Sequence, residues 1–506
     1  MQDRHHETLA QLCADARETA LLESIESLLG WDERTYLPPA AGAYRAEQIT
    51  YLSGWIHRRR TAPQIGEWLD ELRESPLAAD LHSDTGATIR ELDREYRRLV
   101  KLPSSFVEEL TRATVLGQQC WTEARQKNDF AGFQPFLERI FALKREQAEM
   151  WGYPSEPYDA LLDDFEPGAE TATVAQTLDG LRSGLAPLVA EIAECNRQAP
   201  CDLLTRHYPR AAQQAFGDEA AAAIGFDFSR GRLDITHHPF CSSLGPDDCR
   251  ITTRYDEQHF SSAFFGTLHE AGHGMYDQGL RTEQFGLPPG TYISLGIHES
   301  QSRLWENLVG RSAEFWQHFF PIAQQHFPAA LAGERWESFW FAVNAVRPSL
   351  IRVEADEATY NLHIIIRFQL ERAVLSGELA VADLPQAWND RYRQYLGIEP
   401  PSDVDGVLQD IHWSAGLVGY FPTYSLGNVY AAQFFRQAEK ELGDLPDQLK
   451  RGDFAPLKQW LNRNIHQRGR CYRAVELVQQ VTGQPLSAEP MIEGLRNKLL
   501  PLYGLA

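Results

Sequence analysis

The chain has 506 residues, with 48 Lys plus Arg against 70 Asp plus Glu and a formal net charge of −22. That balance argues against nucleic acid or an anionic membrane as the main partner, since both call for clustered positive charge. With 43 % apolar and 23 % charged residues, the chain is ordinary and globular, long enough for about three domains or for one large single-core enzyme.

Taken in chain order, the Met1 end (MQDRHHETLAQLC) carries charges where a secretory signal needs an apolar run. No window supplies the ~18 apolar residues that span a bilayer. The seven cysteines, at 13, 120, 195, 201, 241, 249 and 471, include no CxxC pair. Neither a disulfide framework nor a cysteine-based zinc site is indicated, and the expectation is a reduced, cytoplasmic protein.

Most of the sequence reads as helix. Apolar residues recur at helical spacing over 9–30, with Gly30 as the expected C-cap. Similar patterns cover 42–61, 85–101, 104–127, 130–151, 170–195 and 208–224, and they resume after 256. Turn chemistry separates them at 37–42, 166–168, 287–290 and 399–403. The runs 231–240 and 248–255 read as the two strands of one hairpin, and 291–297 as a further short strand. The expectation is therefore a mainly α-helical body, in two lobes around a cleft, with a small β-hairpin just before the helix that carries the chemistry.

That helix contains His269-Glu270-Ala271-Gly272-His273, an HExxH pattern. Residues i and i+4 share one helical face about 6 Å apart along the axis, so two imidazoles can converge on one ion. Glu270 lies where its carboxylate can take a proton from a metal-activated water. Gly272 and Gly274 each cost ~1 kcal/mol in a helix relative to Ala, which makes sense if something packs very close to this turn. A catalytic zinc needs a third protein ligand. Asp277 is eight residues from His269, about 12 Å along the axis, too far to share the ion. The longer HExxHxxGxxH pattern is absent, with Tyr276 and Gly279 at its remaining positions. Spacing alone leaves Glu299 as the leading candidate, with Glu283, Glu306 and His298 still open. The competing role for Glu299 is a surface pair with Arg303 at i+4.

Several segments together resemble the carboxypeptidase Taq family of metallocarboxypeptidases. They are His238-Pro239-Phe240, Asp248-Cys249-Arg250-Ile251-Thr252, the HExxH itself, His298-Glu299-Ser300-Gln301, Ile351-Arg352-Val353-Glu354-Ala355-Asp356, and 406–413 (GVLQDIHW). The stretch 31–48 is a weaker match, with Leu37 and Pro39 where Met-Pro-Gly-like residues are expected. The resemblance implies one catalytic domain over 1–506, a two-lobed helical fold around a deep groove similar to neurolysin, a homodimer, and one zinc (or cobalt) ion per subunit. It supports Glu299 as the third ligand. The implied activity is removal of single residues from peptides with a free C-terminus, with broad specificity and poor cleavage at proline.

An exopeptidase must recognise a free carboxylate, and a planar guanidinium can bind one bidentately. Arg352, read as part of a helix over 348–371 one turn before Asp356, is the first choice, and Arg250 is the second. Hydrolysis also builds charge on the former carbonyl oxygen, which calls for a hydrogen-bond donor. The resemblance points to Tyr424, with His412 nearby; His238, before a Pro-Phe pair, is read as lining the substrate pocket. An extended substrate could also pair with the edge of strand 249–254. The rival functions are an endopeptidase on the same scaffold and a non-catalytic zinc-binding protein.

Overall fold

The computed structural model describes residues 2–505, and helices dominate them. The boundaries follow local chemistry. Ser104–Lys127 ends because Asn128 adopts the left-handed conformation (φ 54°), and Phe130–Trp151 begins where the Asp129 side chain accepts from the Gly132 N–H. Gly42–Arg60, Asp84–Val100, Thr171–Ala193 and Arg210–Ile224 fall within two residues of the periodic runs that announced them. The first helix is longer than expected. It runs over Gln2–Thr35, straight through Gly30. That extra turn puts Trp31 into the core, and the chain leaves only where Tyr36 and Leu37 both bond back to the Asp32 carbonyl.

The expected hairpin is instead part of a three-stranded sheet. Gly231–Ile235 (β1) pairs in parallel with Cys249–Thr253 (β3), Gly231 opposite Cys249 and Ile235 opposite Thr253. Only Cys241–Ser243 (β2) runs antiparallel to β3, and the order is β1-β3-β2. Pro239 cannot donate to a ladder, so the first run breaks before it and the chain crosses to the other side of β3. Both sides of β3 are thereby taken: Arg232 and Ser242 flank Arg250, and the Thr252 N–H donates to the Phe240 carbonyl. The proposed substrate-pairing edge at 249–254 is therefore not available.

Two further expectations change. The strand read at 291–297 is an irregular approach to the helix Leu295–Arg303, started by Ser294, whose hydroxyl accepts from the Ile297 N–H. The helix read over 348–371 begins at Glu357, because the Asp356 carboxylate accepts from the N–H groups of Ala358 and Thr359 and fixes the N-terminus there. Arg352 sits in the preceding tight turn, Arg352–Glu354, and its guanidinium bonds Asp410 rather than Asp356.

The chain divides into two compact units. The first comprises the stretch ending at Val100 with Pro200–Val343 and Phe434–Gly483. It holds the sheet and the HExxH helix. The second comprises Lys101–Ala199, Asn344–Gln433 and the stretch from Gln484. Its centre is a buried ionic knot. Asp410 accepts from Arg367 Nε at 2.6 Å and Arg352 Nε at 2.9 Å, and Gln409 accepts from Arg367 Nη2 at 2.7 Å. The Trp388 ring lies 4.4 Å from the Arg367 guanidinium. Burial raises the Asp410 carboxyl, but the two guanidiniums more than offset it and hold its pKa well below the usual carboxylate range.

Removing one member of such a knot strands the others. Asp410→Asn is expected to cost about 3–5 kcal/mol at neutral pH, read from denaturant unfolding. Because the folded pKa is depressed, the contribution is present above the ordinary carboxylate range and is lost as pH falls through the folded value. The gap between variant and parent should therefore narrow only on strong acidification.

Candidate metal centre and active site

The HExxH motif lies on the helix Phe260–Gly279, which buries Phe260, Phe264, Leu268, Ala271 and Met275 in the first unit. Its position is set by Gly272. A Cβ there would stand 2.6 Å from the Gln301 carbonyl oxygen and from Ser302 Cα, the backbone of the helix Leu295–Arg303. Only glycine lets the two helices come this close. That approach carries Glu299 over to the paired imidazoles. Gly274 serves the other side in the same way, where a Cβ would meet the Phe226 ring at 2.6 Å.

Nε2 of His269 lies 3.7 Å from Glu299 Oε2, and Nε2 of His273 lies 3.4 Å from the same oxygen. One donor atom from each of the three residues falls within 4.8 Å of the others. Ligands about 2.0–2.2 Å from a shared tetrahedral ion are separated by roughly 3.4 Å, so the donor set fits a divalent cation.

The groups behind the imidazoles fix their tautomers. His269 Nδ1 is 2.9 Å from Glu306 Oε2. A carboxylate accepts, so Nδ1 carries the proton and Nε2 keeps its lone pair. His273 reaches the same state through a relay. Asp277 Oδ1 lies 3.1 Å from His298 Nε2, which therefore carries the proton. His298 Nδ1 is then an acceptor, and it faces His273 Nδ1, which must donate. Both Nε2 lone pairs are left for the ion. Arg303 Nε donates to Glu299 Oε1 at 2.8 Å, and the Ser302 hydroxyl donates to Oε2 at 3.1 Å.

The electrostatics agree with this arrangement. Burial raises Glu299, but Arg303 and the imidazoles more than offset it and hold its pKa far below the usual value. Glu306 likewise resists burial, chiefly through Arg303, and falls to about 2. Burial lowers His273 to about 4. Burial also lowers His269, but Glu299 and Glu306 outweigh it and the net shift is upward. Glu270 is 6 % exposed, and burial pushes it up to about 7, with His269 opposing and Glu299 adding.

The remaining candidates take distinct places. Glu283, one of the open choices for third ligand, is exposed in the turn Thr282–Gln284. Glu306 and His298 are the groups behind the imidazoles, and Asp277, too far to share the ion, orients His298. The Arg303–Glu299 pair does form, but it is buried and coexists with the donor set. Sequence reasoning missed the supporting roles of Arg303 and Glu306. Their signal was there: Glu299, Arg303 and Glu306 recur at i, i+4 and i+7 on one face. Glu306 lies where the helix widens into a π turn, Leu304–Val309, a distortion common at functional sites.

Arg250 is held bidentately by Asp248, both bonds 2.9 Å, with its guanidinium 4.3 Å from the Trp31 ring centroid. His238 is exposed on the bend between β1 and β2. In the second unit, Arg352, His412 and Tyr424 come together. His412 Nε2 is 3.2 Å from the Tyr424 hydroxyl, and the Arg352 guanidinium lies 5.2 Å from the Tyr424 ring. Burial lowers His412 to about 4 and leaves it neutral. Its Nδ1 is buried without a hydrogen bond, 3.8 Å from Asp410.

Comparison with known proteins identifies the family. Residues 11–499 match the family model described as carboxypeptidase Taq (M32) metallopeptidase. The chain is 47 % identical to thermostable carboxypeptidase 1 of Thermus thermophilus, over 96 % of this chain and 97 % of that one. It is 38 % identical to carboxypeptidase 1 of Bacillus subtilis, over 94 % and 95 %. The crystal structure of an M32 carboxypeptidase from Deinococcus radiodurans superposes with a TM-score of 0.95 at 41 % identity, covering 98 % of this chain and 100 % of that one.

Two substitutions probe the geometry. Gly272→Ala should force the two helices apart, costing about 1–3 kcal/mol and lowering metal content after dialysis. Glu306→Gln offers an amide that can donate to His269 Nδ1 and move the ring proton onto Nε2. Metal affinity should then fall about 10–100-fold, measured by competition with a chromophoric chelator.

Proposed function

Since the chain belongs to the carboxypeptidase Taq (M32) family, and is a metallocarboxypeptidase depending on a divalent metal, we propose that it is a zinc enzyme, releasing single residues from peptide C-termini with Glu270 as general base. The observation that carries this reading is the convergence of one donor atom each from His269, His273 and Glu299, with both Nε2 lone pairs left for an ion. Two imidazoles and a carboxylate suit zinc, and also cobalt. When bound, such an ion acts as a Lewis acid toward the scissile carbonyl and acidifies a water.

The chain's own groups complete the chemistry. Glu270 takes a proton from the attacking water and returns it to the leaving amine nitrogen. The Tyr424 hydroxyl donates to the developing oxyanion, and His412, 3.2 Å from that hydroxyl, keeps it oriented. Arg352 holds the terminal carboxylate, with Arg250 as the second guanidinium and His238 lining the pocket. Recognition through the carboxylate leaves the side chain loosely specified, hence broad specificity. Proline is a poor substrate because it has a fixed φ and lacks the N–H that other residues offer.

We further infer that residues 1–506 act as one catalytic domain in a cytoplasmic homodimer. Among the described residues no helix is long and apolar enough to cross a membrane. All seven cysteines are thiols outside any disulfide, as a reducing compartment keeps them. Leu21, Ile25, Tyr51 and Trp55 are exposed on the first two helices and offer an apolar surface to a second copy.

Glu270→Gln should keep its metal and lose about 10²–10⁴-fold in turnover, measured as amino-acid release with metal content checked on the same sample. Retained turnover in the metal-loaded variant refutes the base assignment. Peptides ending in a free carboxylate should be cleaved and their C-terminal amides cleaved poorly. Equal cleavage of both would mark an endopeptidase instead.

A further inference from the structure

A second set of donor atoms lies behind the first. Cys241 on β2, Cys249 on β3 and Asp277 in the last turn of the HExxH helix bring one ligand atom each within 4.8 Å of the others. The two sulfurs are 3.7 Å apart, and Cys241 Sγ is 3.8 Å from Asp277 Oδ2. The helix packs onto the sheet here closely enough that a Cβ on Gly274 would stand 3.2 Å from Cys249 Sγ. Cysteine spacing carries no sign of this, because the ligands come from two strands and a helix.

A disulfide does not explain the pair. Cys241 stands opposite Ile251, and Ser243 opposite Cys249, so the two cysteines are diagonal across the ladder. Diagonal neighbours have Cα atoms about 7–8 Å apart, beyond the roughly 4.4–6.8 Å that a disulfide spans. An ion accounts for the spacing better. Two thiolates each about 2.3 Å from a tetrahedral ion are separated by roughly 3.8 Å, and a thiolate and a carboxylate by roughly 3.5 Å.

We propose that Cys241, Cys249 and Asp277 form a second cation site, selective for thiophilic ions of the zinc class, behind the His269–His273–Glu299 centre. Binding forms two metal–sulfur bonds and one metal–oxygen bond, and both thiols release their protons to solvent. A water completes the fourth position. Cys249 and the Asp277 side chain are buried, while Cys241 is partly exposed and gives the ion its entry. The free oxygen for the ion is Asp277 Oδ2, since Oδ1 already accepts from His298. The second site is thus linked to the first through Asp277, His298 and His273, yet shares no ligand with it.

The test uses the full chain, reduced with a phosphine, stripped with a chelator and titrated with Co2+. Two ions per chain are expected. The second should bring a thiolate-to-cobalt charge-transfer band in the near ultraviolet, which the His/His/Glu centre cannot produce because it has no sulfur. Cys241→Ser and Cys249→Ser should each lose that band and drop to one ion, while still hydrolysing peptides with the first site loaded. Glu299→Ala should keep the band and lose the other ion, so a failure of the proposed catalytic centre is distinguishable from a failure of this site. A single ion with no band in the parent protein, a band that survives both cysteine substitutions, or a band lost in Glu299→Ala would each overturn the proposal.

Discussion

The close approach of two helix backbones at Gly272 is the constraint on which the rest of the metal centre depends. An HExxH pattern places two imidazoles on one face without help, because that follows from helical pitch alone. A third donor must come from elsewhere in the chain, and a carboxylate side chain is short. The helix Leu295–Arg303 has to lie almost in backbone contact with its neighbour, and no residue with a Cβ fits between Gly272 and the Gln301 carbonyl. The helix-propensity cost of glycine, ~1 kcal/mol, is what the sequence gives up for that distance. The glycine is therefore part of the donor set in effect, though it contributes no donor atom.

Bringing donors together also brings charge together. Glu270 and Glu299 are buried and Glu306 partly buried beside the imidazoles. Arg303 answers two of them, reaching Glu299 Oε1 at 2.8 Å and Glu306 Oε2 at 3.1 Å. Arg311 approaches Glu306 at 3.7 Å while its guanidinium lies over the Phe265 ring. Glu270 has no such guanidinium among its main influences, and burial dominates its shift. The result is two kinds of carboxylate in one cluster. Two are locked as anions that hold a ligand or a ring in place, and one is left near neutrality in its proton affinity. The separation arises from which side chains each carboxylate meets, since the three start out chemically alike.

Legibility in the sequence tracked the range of the interactions concerned. Helices whose ends are set by local chemistry, such as the Asn128–Asp129 junction, could be placed from spacing and turn residues. Features decided by distant partners could not. The helix through Gly30 continues because Trp31 finds a core made by other segments. The parallel pairing of β1 with β3 depends on which side of β3 the chain reaches after Pro239. At the site, the His269–His273 pair and Glu270 were legible as a local pattern, and Glu299 led on spacing, with the family resemblance setting it apart from Glu283, Glu306 and His298. The tautomer relay through His298 and Asp277 was not legible. It depends on which ring nitrogen faces which oxygen, and spacing carries no information about that.

The second unit shows the same economy of positioning in a different form. Arg352 was the first choice for a substrate carboxylate, and the fold gives it a carboxylate of its own, Asp410, and a tyrosine hydroxyl, Tyr360. An arginine used for recognition must not wander through its rotamers, and a fixed anion on one edge of the guanidinium removes most of that freedom while leaving other N–H groups to donate. Asp410 in turn is shared with the fully buried Arg367, and so cannot follow Arg352 if it moves. The same knot sits beside His412 and, through it, Tyr424. One buried carboxylate thus fixes two guanidiniums directly, while the bonded His412–Tyr424 pair packs beside them without a hydrogen bond to Asp410. The desolvated charge at the centre has nowhere else to find its partners, which is what keeps Arg352 in place.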